Sequence, residues 1–150
     1  MSLPLSGIKV IEFSHMVMGP CVGLMLADMG AEVIKVEPLG GDKTRRLRGA
    51  GAGYFPMYNR NKKSLCINLK IDAGKAAATD LIKTADVFIE NFRPGALDKL
   101  GFGYEVLSVL NPRLIYVSEK GLLSGPYGRR TALDEVTQMM GGLALSLIHI

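Results

Sequence analysis

Seven cations are packed between residues 43 and 63: Lys43, Arg45, Arg46, Arg48, Arg60, Lys62 and Lys63. They lie in a connection broken up by Gly40, Gly41, Gly49, Gly51, Gly53 and Pro56, with no sustained periodicity. Lys and Arg make charge-assisted bonds to phosphate oxygens, so the run suits a small phosphorylated molecule; solvated loop charges are the alternative reading. A net charge of +4 and a pI near 9.1 agree with an anionic partner. Acids are interleaved with the bases and no aromatic ladder accompanies them, which argues against nucleic acid. Tyr54, Phe55, Met57 and Tyr58 add apolar area to the same connection, so it should fold over a surface instead of remaining disordered. Cys21 and Cys66 sit in apolar settings without metal-ligand spacing and read as two buried thiols, neither disulfide, zinc ligand nor nucleophile.

The element that would carry such a site is the stretch from Gly7 to Asp42. Ile8 to Phe13 reads as a strand buried on both faces. Gly19-Pro20 breaks the chain and opens a helix in which Cys21, Leu24, Met25 and Ala27 recur at helical spacing. Gly30 is the left-handed stop, and Ala31 to Val36 forms a second strand ending at Glu37. A strand–helix–strand crossover is right-handed and parallel, which puts the turn Ser14 to Gly19 at the carboxyl end of the first strand, where α/β sheets bind ligands. The turn reads SHMVMGP with Gly19 as its one glycine, so the dinucleotide fingerprint is absent and a classical NAD site is disfavoured.

Further along, Ser64 to Leu69 reads as a third strand and Asp72 as the N-cap of a helix to about Lys83. Val87 to Ile89 is a fourth strand, followed by short helices at 93–100 and 104–110. Leu114 to Ser118 is a fifth, and a last helix starts at Thr131 or Asp134 and runs to Met140. The alternation predicts an α/β fold: a Rossmann-like, open, mostly parallel sheet with helices on both faces. At 150 residues and 48% hydrophobic content, one domain with a real core is expected. There is no basic-then-apolar leader and no apolar run of membrane-spanning length, so the cytoplasm is the default and no membrane partner is expected.

Taken together, FSHMVMGP, LADMGAEVIKVEP, GGDKTR, NRNKKSLCINLK, ADVFIENFRPGALDKLGFGYE, LNPRLIYVS and TALDEVTQMMGGL resemble, in order, the N-terminal part of a family III coenzyme A transferase. That family includes formyl-CoA transferase, the carnitine and bile-acid CoA transferases and the 2-methylacyl-CoA racemases. The resemblance implies a CoA-binding Rossmann-like large domain, acyl-CoA and a small carboxylic acid as partners, no metal, and an interlocked homodimer. Carried over residue by residue, it implies that His15, Val17 and Met18 line the thioester end and that Pro38 lies near the adenine. It further implies that Ile67, Asn68, Leu69 and Lys70 meet the nucleotide, as do Asn91, Phe92 and Arg93. Lys99 would meet phosphate, and Thr131, Ala132, Leu133 and Asp134 would run along the pantetheine.

Three positions depart from the family. Pro38 stands where formyl-CoA transferase has an arginine, and Val17 where it has a glutamine able to bond a reacting carboxylate, so formyl and oxalyl groups are not the expected acyl groups. Leu133 stands where the racemase branch has a histidine, which favours transfer over racemisation; that branch, or a non-catalytic nucleotide-binding fragment, is the alternative. In the implied mechanism an aspartate attacks the thioester to give a mixed anhydride and CoA thiolate. The resemblance places that aspartate past Ile150, with Asp134 and Glu135 as contacts instead of nucleophiles. Residues 1–142 are therefore read as the N-terminal part of a truncated large domain and 143–150, LALSLIHI, as a tail that does not match the family.

Overall fold

The structure, a computed structural model, describes residues 2–142, so the proposed tail 143–150 lies outside the described residues. Five strands, β1 (Lys9–Phe13), β2 (Glu32–Glu37), β3 (Lys63–Cys66), β4 (Val87–Glu90) and β5 (Ile115–Ser118), form one sheet in the order β3-β2-β1-β4-β5. Every pairing is parallel. The chain winds outward from β1 to β3 and then returns to the other side of β1 to start β4. The winding therefore reverses between β1 and β4, and the two connections part there to open a crevice above the strand ends.

The helices are α1 (Met18–Asp28), α2 (Tyr54–Tyr58), α3 (Asp72–Lys83), α4 (Ala96–Leu100), α5 (Tyr104–Leu110) and α6 (Asp134–Met140). Alternate strand residues face opposite layers, as the pleat requires. Ile11, Phe13 and Phe88 pack with Ala78, Ile82, Leu97, Phe102 and Leu107 of the α3–α5 region. Val10, Val33 and Ile89 pack with Ala27 of α1. The two-faced burial expected from the apolar strands is thus met with helices on both sides. α1 ends where predicted: Gly30, at φ +101°, allows its N–H to reach Ala27 O and that of Ala31 to reach Leu26 O, the paired bonds of a Schellman stop.

Several boundaries differ from expectation. α1 begins at Met18, so Pro20 is its third residue; its missing N–H still belongs to the first turn, where no intrahelical acceptor exists. Asp72 is the first residue of α3 instead of its cap, placed where its charge meets the positive helix end, and Ile71 is the cap residue. β3 stops at Cys66 instead of Leu69 because Asn68 Oδ1 accepts from Lys70 N at 3.1 Å and turns the chain. The connection read as a loop from 38 to 61 holds two 3-10 turns, Lys43–Arg46 and Gly49–Gly53, and then α2. Cys66 is exposed and Cys21 half-buried, against the expectation of two buried thiols, because β3 is an edge strand with open faces.

Candidate functional site

The carboxyl ends of β1 and β4 meet in register, Phe13 beside Glu90, and the residues after them are tied together. Asn91 Oδ1 accepts from His15 N at 3.0 Å, and Asn91 Nδ2 donates to His15 O at 2.8 Å. One amide side chain thus holds both backbone groups of the turn residue. The His15 ring lies 5.6 Å from that of Phe92, and Gly19 lets α1 close down on the turn: a Cβ there would sit 2.4 Å from Ser14 Cβ. Burial pushes the His15 pKa below its ordinary value; Asp42 opposes this and Lys35 adds to it.

Beneath the turn lies a buried ionic cluster. Glu12 and Lys35 are register partners on β1 and β2, and both are essentially inaccessible. Lys35 Nζ contacts Glu12 Oε1 at 3.2 Å and Asp42 Oδ2 at 3.3 Å, and donates to Ser14 O at 2.7 Å. Glu12 Oε2 accepts from Lys62 Nζ at 2.7 Å, while Oε1 accepts from Ser14 Oγ at 2.6 Å. Burying such polar groups is tolerable only because nearly every lone pair and proton has a partner. Gly23 makes room for the cluster, since a Cβ on it would fall 1.8 Å from Glu12 Oε2.

The next strand ends are built likewise. At the end of β2, burial alone would raise the Glu37 pKa, but bonds from Arg45, Ser64 Oγ and Asp42 N bring it down to about 2. At the end of β4, Glu90 accepts from Lys120 Nζ at 2.6 and 2.7 Å and from Phe92 N at 2.9 Å, and Ser118 Oγ donates to it as well. Lys120 also donates to Phe92 O at 2.6 Å, so the loop Asn91–Arg93 is held from both sides. A cavity of about 350 Å³ opens here, lined by Glu90, Arg93, Leu97, Tyr104, Tyr116 and Lys120. A shallower apolar groove of about 680 Å³ runs between β3 and α3 past Ile67 and Asn68.

The residues singled out from the sequence fall into three groups. His15, Val17 and Met18 lie on or just after the turn that follows β1, and Asn91, Phe92 and Arg93 on the loop that follows β4; His15 is bonded to Asn91 and its ring lies near Phe92. Pro38, Ile67, Asn68, Leu69 and Lys70 occupy the ends of β2 and β3 on the same edge, with Ile67 buried and Lys70 exposed. Lys99 is exposed on α4, and Thr131, Ala132, Leu133 and Asp134 open α6; no hydrogen bond among the described residues links these last four to the strand ends. The basic connection is less free than its composition suggested. Arg45 is turned in to Glu37 and lies 3.8 Å over the Phe55 ring, Lys62 is buried on Glu12, and Arg60 and Lys63 pair with Asp28 and Glu32. Lys43 and Arg48 have no side-chain bond or ion pair among the described residues. The residues that hold the site, Glu12, Lys35, Asp42, Thr44, Glu90 and Lys120, were not singled out from the sequence. Glu12, Lys35 and Glu90 had one available signal, a charge in or ending an apolar strand, as in KVIEF, EVIKVE and VFIE; Asp42, Thr44 and Lys120 lie outside the strands and had none.

The sequence model of CoA-transferase family III matches residues 5–147. Acetyl-CoA:oxalate CoA-transferase of Acetobacter aceti is 42% identical over 148 residues, covering 95% of this chain and 38% of that protein. Succinate–glutarate CoA-transferase of Agrobacterium fabrum is 46% identical over 151 residues, covering 93% of this chain and 38% of its own length. Among solved structures, a CAIB/BAIF family protein from Brucella suis superposes with a TM-score of 0.87 at 42% identity, over 95% of this chain and 40% of that one. The chain therefore spans well under half the length of the curated relatives it matches.

Proposed function

The chain belongs to CoA-transferase family III, and on that premise we propose that it supplies the CoA-binding face of an enzyme that moves CoA between an acyl-CoA thioester and a carboxylic acid. The observation that supports this most is the mutual clamp of His15 and Asn91, because it makes the turn and the Asn91–Arg93 loop two walls of one crevice at the switch point. Arg93 and Lys99 are exposed cations suited to phosphate oxygens, and the rigid strand ends supply shape. The role of these residues is to hold the thioester so that its carbonyl carbon meets a carboxylate.

In this reading the carboxylate is an aspartate outside these 150 residues. Its oxygen bonds to the thioester carbonyl carbon, the C–S bond breaks, and CoA leaves as thiolate, with no metal required. Asp134 opens α6 with an exposed side chain bonded to Gln138 Nε2 at 2.6 Å, which suits a contact residue better than a nucleophile. Val17 offers no polar group to a substrate carboxylate, and Leu133 favours transfer over racemisation. An interlocked homodimer and a cytoplasmic location complete the proposal; no helix among the described residues is long and apolar enough to cross a membrane.

Calorimetric titration with acetyl-CoA tests the reading. The chain is expected to bind, and Arg93→Ala or Lys99→Ala to weaken binding by about 1–3 kcal/mol each. A wild-type chain that does not bind acetyl-CoA overturns it, and unchanged affinity in both variants returns these cations to solvation.

A further inference from the structure

Met16, at the middle of the first turn, has φ +64°, a left-handed conformation that a long side chain seldom adopts. Such a conformation persists only where the surroundings over-determine it. Here the Met16 N–H donates to Thr44 Oγ1 at 3.2 Å. Thr44 belongs to the basic connection, yet it is 2% exposed while Lys43, Arg45 and Arg46 beside it are open to solvent. Its single hydroxyl proton goes to Asp42 Oδ1 at 2.8 Å in preference to Met16 Sδ at 3.9 Å, a weaker acceptor, and this leaves an oxygen lone pair for Met16. Asp42 is fixed in turn by Lys35 at 3.3 Å, and the same Lys35 Nζ holds Ser14 O at 2.7 Å. One buried lysine thus grips the turn at Ser14 directly and at Met16 through Asp42 and Thr44.

We infer that Thr44 is a positioning residue: through the Met16 N–H it sets the shape of the turn that faces the thioester end of the ligand. The inference rests on the CoA reading for the identity of that ligand. Thr44 touches no ligand in this scheme, and its action passes entirely through the backbone of Met16. It also makes the basic connection and the turn one mechanical unit.

The test compares acetyl-CoA with adenosine 3′,5′-bisphosphate, which keeps the nucleotide end of CoA and lacks the pantetheine arm. Thr44→Val keeps the shape and removes the hydroxyl; it should weaken acetyl-CoA binding about tenfold and leave the bisphosphate within about twofold, as for one lost buried hydrogen bond. Thr44→Ser should bind both like the wild type. If Thr44→Val does not fold, Thr44→Ala is the hydroxyl-free variant, its smaller side chain fitting the same space. Equal weakening of both ligands would show a merely structural role and overturn the inference, as would no weakening of either. Amide exchange at Met16 reports on the clamp without ligand: it should accelerate about tenfold in the hydroxyl-free variant and not in Thr44→Ser. A wild-type chain that binds neither nucleotide removes the CoA reading and the inference with it, while unchanged Met16 exchange removes the clamp alone.

Discussion

Glu90 and Glu119 are neighbours across the ends of β4 and β5, joined by a backbone bond from Glu119 N to Glu90 O at 2.9 Å, yet their carboxylates live in opposite conditions. Glu90 accepts from Ser118, Lys120 and Phe92 N. Glu119 has both oxygens buried and no hydrogen-bond partner among the described residues. Burial raises its pKa to about 7, helped by repulsion from Glu12 and Glu90 and opposed by Lys120 and Lys62. The carboxylate at the end of β4 is therefore satisfied within these residues, whereas the side chain just beyond β5 is not. The same residue type is an anchor in one place and a strain in the other, and partners make the difference.

The largest break in this contrast should come from Lys35→Met, which leaves Glu12 and Asp42 buried without their shared cation. Chemical denaturation is expected to show a loss of about 3–5 kcal/mol. Next in size, Glu119→Gln should sharpen the contrast by removing the strain. A carboxyl whose folded pKa lies above its unfolded value binds its proton more tightly in the native state, so stability declines as pH rises from near 4.5 to about 7. The variant should lose that decline, and its Tm at pH 8 should exceed the wild type's by about 4 °C or more. A wild type whose stability is flat over this interval would show that Glu119 is solvated. The smallest effect is expected from Lys83→Ala, since its exposed pair with Asp80 lies far from either carboxylate network; a change below about 0.5 kcal/mol is predicted.

Much of the scaffold was legible because its signals are local. KVIEF and EVIKVE read as strands, and Gly30-Ala31 as a stop, since backbone preference and the C-cap act within a few residues. The parallel direction of the strands followed from the crossover rule, which put the turn after β1 and the loop after β4 on one edge. The basic connection was misread as irregular because its order comes from Asp42 capping a 3-10 turn and Glu37 capturing Arg45, contacts that composition does not reveal. Ser64 to Leu69 reads too long as a strand because an apolar run does not reveal that the Asn68 side chain accepts from Lys70 N and turns the chain.

The sequence by itself determined the family, the element order and the edge of the sheet at which a ligand would be sought, because each depends on motif identity, periodicity or chain handedness. Only the tertiary structure decided which charges face the ligand and which hold the site. Glu12 and Lys35 lie 23 residues apart and become partners through strand register; Lys62, one of the cations that by composition suit a phosphorylated ligand, is drawn beneath α1 to complete Glu12. A charge is placed by what surrounds it, and in a parallel sheet those surroundings come from strands distant in the chain.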